Sequence, residues 1–165
     1  MLAGWRGWAG ILAATALERG IRIQRAIAFI RTFGLEAPEQ YLETWPWPVK
    51  VRCLGQFDIF VEDRLLDYGN KPPRKLLALL KAIIALGSRD VPEHKLIDAL
   101  WPEEDGDTAH QSFTTALHRL RKLLGDNSLI RQREGRISLD TSRVWVDTLA
   151  FEALGSHEGD ADLSV

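Results

Sequence analysis

Four residues, Trp45-Pro46-Trp47-Pro48, constrain this chain more than any other feature. Proline fixes φ, has no amide donor and pushes the residue before it out of helical geometry. The stretch must therefore be extended, and no helix can run through it. Apolar residues recur every three to four positions before it and alternate after it, so the fold changes character here. Residues 35–48, which also hold Pro38, read as a Pro/Trp linker whose two indoles dock it on a neighbour.

Ahead of the linker, Leu2 to Arg19 reads as one helix closed by Gly20. A second keeps Ile23, Ala26, Ile27 and Ile30 on one side, runs to about Thr32 and stops at Gly34. Residues 1–34 thus form a short helical segment, the end of a helical array. The first nineteen residues hold a short, glycine-interrupted apolar stretch with the single early charge Arg6, which reads as a soluble helix and not an export signal. The stretch is also too short to span a membrane. One cysteine, Cys53, cannot form an internal disulfide, and a reducing cytoplasm fits.

After the linker the period becomes two. Val49, Val51 and Cys53 alternate with Lys50 and Arg52, and Phe57, Ile59 and Val61 alternate with Asp58, Phe60 and Glu62. With Arg64 to Asp67 these predict a small antiparallel meander turning at Gly55 and at Glu62-Asp63. Three helices follow. Pro72 and Pro73 open the first, which is apolar over most of its circumference from Leu76 to Leu86 and should be the buried one. The second begins at Asp90, with Glu93 at capping-box spacing, and ends at Trp101-Pro102. The third starts near Asp107, whose carboxylate suits a helix start, and ends at Gly125-Asp126-Asn127. Leu129 to Arg133 and Arg136 to Leu139 flank Glu134-Gly135, a hairpin turn. The sum is an α+β fold: a winged helix-turn-helix with an N-terminal antiparallel sheet and a C-terminal wing hairpin, over residues 49–151. Residues 152–165 carry Glu152, Glu158, Asp160 and Asp162 with no Lys or Arg, an acidic tail expected to fray.

The third helix has two faces. At 100° per residue Phe113, Leu117, Leu120 and Leu124 share one side, with Ala109, Ala116 and Leu123 beside them. Gln111, Thr115, His118 and Lys122 point nearly opposite, flanked by Thr114, Arg119 and Arg121. After Asp107 this helix holds no carboxylate, whereas a merely solvated face usually mixes acids with bases. Amide, hydroxyl, imidazole and cationic groups on one face can donate to phosphates and read base edges in a major groove. The chain's net charge is only −2, but residues 119–136 hold six cations against Asp126 and Glu134, a local +4. Arg133 and Arg136 stand at the hairpin tip, where a wing enters a minor groove or grips phosphates. Glu103, Glu104, Asp105 and Asp107 make the preceding loop acidic, so phosphate would repel it, and it suits a protein contact.

The order Leu54-Gly55-Gln56-Phe57, the Lys71 to Leu86 helix, Ala99-Leu100-Trp101-Pro102, Leu117-His118-Arg119-Leu120-Arg121-Lys122-Leu123-Leu124-Gly125, Gly135 to Leu139, and Val146-Asp147 with Phe151 resembles the DNA-binding domain of SARP-type bacterial transcriptional activators, of the OmpR/PhoB winged-helix fold. The Trp-Pro-Trp-Pro lead-in resembles a subgroup in which this domain is the C-terminal part of a larger helical-repeat regulator. The resemblance implies a cytoplasmic activator of transcription with double-stranded DNA as partner. It also implies a loop from Trp101 to Thr108, with Glu103, Glu104 and Asp105, facing RNA polymerase, and homodimers on direct repeats. In many members Val146-Asp147 and Phe151 lead into a further helical domain. Where many relatives carry Gly-Tyr in the wing, this chain has Gly135-Arg136, and Ala116 and His118 stand at positions often basic or polar in response-regulator relatives. The target sequence therefore does not transfer.

No catalytic constellation is present: there is no phosphate-binding glycine loop, nucleophile elbow or His-Glu-x-x-His. His110 and His118 are separated by roughly 12 Å of helix rise, too far for one metal. Neither an enzyme nor a cofactor is indicated. The alternative to DNA binding is a protein-interaction or heterodimerisation module without DNA activity of its own.

Overall fold

The computed structural model describes residues 3–69 and 71–161, with side chains for 4–69 and 71–155. It divides into two compact units. One joins the residues up to Leu66 with those from Thr141 onward; the other is Asp67–Asp140.

In the first unit, α1 (Ala3–Glu18) and α2 (Ile23–Phe33) form a helical hairpin. Gly20 and Arg22 both take left-handed backbone in the turn, and Gly34 does so at the end of α2. There the Leu35 amide donates to Ile30 O at 3.0 Å, the closing bond expected beyond a left-handed C-cap. Trp5 meets Phe33 edge-on at 5.8 Å, and Arg6 donates to the Phe33 carbonyl. The linker docks as its indoles suggested. Trp45 and Trp47 are buried, and Trp47 Nε1 donates to Leu42 O at 2.8 Å. It is not extended throughout, however: the Trp47 amide donates back to Trp45 O at 2.8 Å, a tight turn around Pro46.

The sheet of this unit is β1 (Val49–Arg52), β2 (Asp58–Val61), β3 (Arg64–Leu65) and β7 (Val144–Val146), in the order β3-β2-β1-β7. The meander is antiparallel with Val49 opposite Val61 and Val51 opposite Ile59, and it turns on Glu62 and Asp63 in left-handed geometry. It is not purely antiparallel as expected. Strand β7, which the sequence reading missed, pairs parallel with β1, placing Val49 beside Val144 and Val51 beside Val146. Three residues of Val-Trp-Val are too short to show a period. Trp145, on the opposite face of β7 from its two valines, is buried in one cluster with Ala13, Leu17, Ile30, Trp45, Trp47 and Ala150. The lead helices and linker thus belong to the core of this sheet.

Helix α6 (Asp147–Ala161) follows directly. The Asp147 carboxylate accepts from the amides of Cys53 at 2.8 Å, Leu54 at 2.9 Å and Thr148 at 2.8 Å. It ties the start of α6 to the end of β1. The expected frayed tail is therefore helical from Glu152 to Ala161, because its first turn is pinned and Ala150 is buried. The expectation for 162–165, with Asp162, lies outside the described residues.

The second unit is a winged helix-turn-helix: α3 (Arg74–Ala85), β4 (Val91–Pro92), α4 (Glu93–Leu100), α5 (Gly106–Leu123), a 3-10 turn (Asn127–Leu129), β5 (Ile130–Arg133) and β6 (Arg136–Leu139). Leu79, Leu80 and Ile83 of α3 have no exposed surface, as its all-round apolar pattern predicted. The capping box at Asp90 and Glu93 does not form. Asp90 takes left-handed backbone, and Val91-Pro92 becomes a short strand paired with β6. Glu93 is then the first helical residue, and its amide donates to Gly135 O at 2.9 Å. The sheet runs β4-β6-β5, and the hairpin turns on Glu134 and Gly135, both with positive φ.

Asp147→Ala removes the acceptor for three backbone amides and is expected to cost about 1–3 kcal/mol. Urea denaturation checks this; an unchanged midpoint would show that the carboxylate is not structural.

Candidate nucleic-acid interface

Helix α5 is the longest of the second unit, and its start is set by Asp105, not by Asp107 as the sequence suggested. The Asp105 carboxylate accepts from the Thr108 amide at 2.9 Å, the N-cap arrangement, and Asp107 sits inside the first turn. The Thr108 amide holds the Asp105 carboxyl below the usual carboxylate range, with lesser help from the Thr108 side chain and the Asp107 amide. Ala109, Phe113, Ala116, Leu117 and Leu120 are buried, with Leu124 just past the end. Phe113 meets Trp101 edge-on at 6.2 Å. Rotation of α5 is thereby fixed.

Gln111, Thr114, Thr115, His118, Arg119 and Lys122 are all exposed on the other side. Thr114 spends its hydroxyl proton on His110 O at 2.9 Å. Arg121 is half-buried, and its Nε donates to Ile130 O at 2.9 Å, so it braces the foot of the hairpin. An open groove of about 390 Å³ runs along this side, lined by Lys75, Trp101, Gln111, Thr115 and Arg119 among others.

At the hairpin, Arg133 is exposed and its Nε donates to its neighbour Glu134 at 3.3 Å. Arg136 donates to Asp90 O at 3.0 Å, and Arg131 pairs with Asp140. Gln132 donates to Glu93 Oε1 at 2.7 Å, and His110 Nε2 lies 3.9 Å from Glu93 Oε2, so one carboxylate links hairpin, α4 and α5. Of the acidic loop, Glu104 accepts from the Ser112 hydroxyl at 2.7 Å and Asp105 is the cap, while Glu103 is exposed.

Lys75 was missed by the sequence reading. Its Nζ donates to Leu100 O and lies 4.9 Å from the centre of the Trp101 ring, so it fixes the α4–α5 loop beside the groove. A signal was available. Lys71, Arg74 and Lys75 crowd the start of α3, with no acid in its first turn, against the helix dipole.

Among the described residues, no group of three or more His, Cys, Asp or Glu forms a metal-binding arrangement, and no helix is long and apolar enough to cross a membrane. No family model matches the chain. It is similar to the regulatory protein AfsR of Streptomyces griseus, 30% identical over 128 residues, which is 75% of this chain and 13% of that protein. The chain thus spans a small part of its relative. The solved structure of Mycobacterium tuberculosis EmbR in complex with a low affinity phosphopeptide aligns at 23% identity and a TM-score of 0.46, covering 56% of this chain and 25% of that one. That likeness is too distant to bear on function.

Because folding lowers the Asp105 pKa, the cap is strongest with the carboxylate ionised. Its contribution is present above the usual carboxylate range and is lost as pH falls through the lowered value. Exchange protection of the Thr108 amide should fall in the same acid window, and Asp105→Ala should abolish that pH dependence. A protection factor flat with pH in the parent would contradict the cap. The chain thus combines the winged-helix architecture of Asp67–Asp140 with a similarity to a regulatory protein.

Proposed function

We propose that the chain binds double-stranded DNA sequence-specifically to regulate transcription, with α5 in the major groove and the β5–β6 hairpin on the minor groove or backbone. One observation carries this reading. Beyond Asp107 in its first turn, the outward side of α5 presents amide, hydroxyl, imidazole and cationic groups with no acid, and its opposite side is committed to the core. Gln111, Thr115, His118 and Arg119 are the base-edge candidates, because each is exposed on the outer face. Lys122, Arg133 and Arg136 suit phosphates, whereas the Thr114 hydroxyl is turned to His110 O. Arg121 serves from beneath, holding the hairpin foot against α5. Residues 49–151 are taken as the DNA-binding module of a cytoplasmic activator, the C-terminal part of a larger helical-repeat regulator. Head-to-tail pairs on direct repeats are the expected bound form.

The loop ahead of α5 is assigned to RNA polymerase. Its support is the exposed Glu103 in an acidic segment that phosphate would repel. Glu104 and Asp105 are partly spent on Ser112 and Thr108, so Glu103 is the residue freest to reach a protein.

Selection of bound fragments from random DNA is expected to return a defined site. Binding to it should show a slope of log K against log salt of about −4 to −5, as for some five phosphate contacts. Arg119→Ala should cost about 1–3 kcal/mol and relax preference at one base pair, whereas Arg133→Ala should weaken all sequences alike. No enrichment at low salt would remove the reading and leave a protein-interaction module. Glu103→Ala should keep DNA affinity and reduce activation in a reconstituted transcription assay; undiminished activation would make the loop a connector.

A further inference from the structure

Resting on the DNA reading above, we infer that Glu93 is the positioning residue that holds the hairpin at its working distance from α5, so that Arg133 counts fully toward affinity only while Glu93 is in place. Ile130 and Leu139 at the hairpin foot and Ile137 in its middle are buried, whereas Arg133 to Arg136 at the tip are all exposed. Apolar packing therefore fixes the foot, and polar contacts must fix the tip. At the foot, Arg121 Nε donates to Ile130 O and joins β5 to α5. Nearer the tip, Glu93 makes two bonds. Its amide donates to Gly135 O in the turn at 2.9 Å, and its carboxylate accepts from Gln132 Nε2 on β5 at 2.7 Å. The same carboxylate lies 3.9 Å from His110 Nε2 on α5.

The register explains why Gln132 is the residue that Glu93 meets. Gln132 lies opposite the buried Ile137 and shares its face, so it is directed toward the helices, while Arg133 alternates to the other face. Strand β6 has supports of its own, since it pairs with β4 and Arg136 donates to Asp90 O. Strand β5 is the edge strand, and Gln132 is its link to α4. The Glu93 side chain is only 13% exposed. A carboxylate beside residues 119–136 lowers their local +4 potential, which does not help a surface that meets phosphate. Its use is positional. Two DNA-contacting elements reinforce one another only when their spacing is set before binding, because a loose hairpin must be ordered at the expense of affinity. With Glu93 in place the tip meets the backbone already ordered.

Titration of the full chain with its selected duplex, run as a double-mutant cycle, tests this. Glu93→Ala is expected to weaken binding about fivefold. Arg133→Ala, whose parent side chain pairs with Glu134 and not with Glu93, should cost at least about twofold less on the Glu93→Ala background than in the parent. Gln132→Ala cuts the same bond from an exposed position where folding is not at stake, and Glu93→Ala/Gln132→Ala should bind like Glu93→Ala alone. Glu93→Gln keeps an acceptor for Gln132 without the charge and should bind at least as tightly as the parent. A merely structural Glu93 would lower the urea midpoint and leave the cost of Arg133→Ala unchanged. Failure of the parent to bind any duplex would overturn the DNA reading, and this role with it. A parent that binds, with Glu93→Ala unchanged or its cost simply adding to that of Arg133→Ala, would overturn the role of Glu93 alone.

Discussion

Burial of one side of α5 is the constraint on which the rest of the reading surface depends. Phe113, Leu117 and Leu120 have at most a trace of exposed area, and Trp101 closes over Phe113. Each such side chain contributes about 1.5–3 kcal/mol when taken from water. Turning the helix by even one residue, 100°, would expose part of that set. The polar residues between them therefore have no freedom to choose their direction. Gln111, Thr115, His118 and Arg119 face outward because the core residues cannot. The fully buried Leu79, Leu80 and Ile83 of α3 supply a rigid partner for that packing.

Hydrogen bonds then decide which cations remain available. Residues 119–136 carry a local +4, but the sum overstates what can meet a ligand. Arg121 holds the hairpin foot, Arg131 pairs with Asp140, and Arg136 reaches back to Asp90 O. Arg119, Lys122 and Arg133 are left most exposed, on α5 and at the hairpin tip. Positive potential is spread over the whole segment, while directional contact is confined to few groups. Glu93 adds a second brace by accepting from Gln132 and lying near His110.

Much of this was legible in the sequence where a period is long or a turn is chemically marked. The eighteen residues of α5 show their two faces without ambiguity, and Glu134-Gly135 announces the hairpin. The failures fall on short or long-range features. Strand β4 is two residues and β7 three, so neither has a readable alternation, and the parallel pairing of β7 with β1 joins segments far apart in sequence. The cap at Asp105 was displaced by two residues because the loop offers several acids and only geometry selects one. The capping box failed because pairing of Val91-Pro92 with β6 pulled Asp90 out of helical register. Of the site, the outward face of α5 was readable. The basic cluster that holds Lys75 was also visible, but its role was not, because that role comes from reaching Leu100 and Trp101, which belong to a later helix and loop.

The central claim is that the outward side of α5 from Gln111 to Lys122 and the hairpin tip together form a DNA-reading surface. An amide NMR titration of the chain with its selected duplex tests it most directly. The account predicts perturbations concentrated from Gln111 to Lys122 and at Arg133 to Arg136, with the buried residues of α3 unmoved. Perturbations that spare both α5 and the hairpin would contradict it.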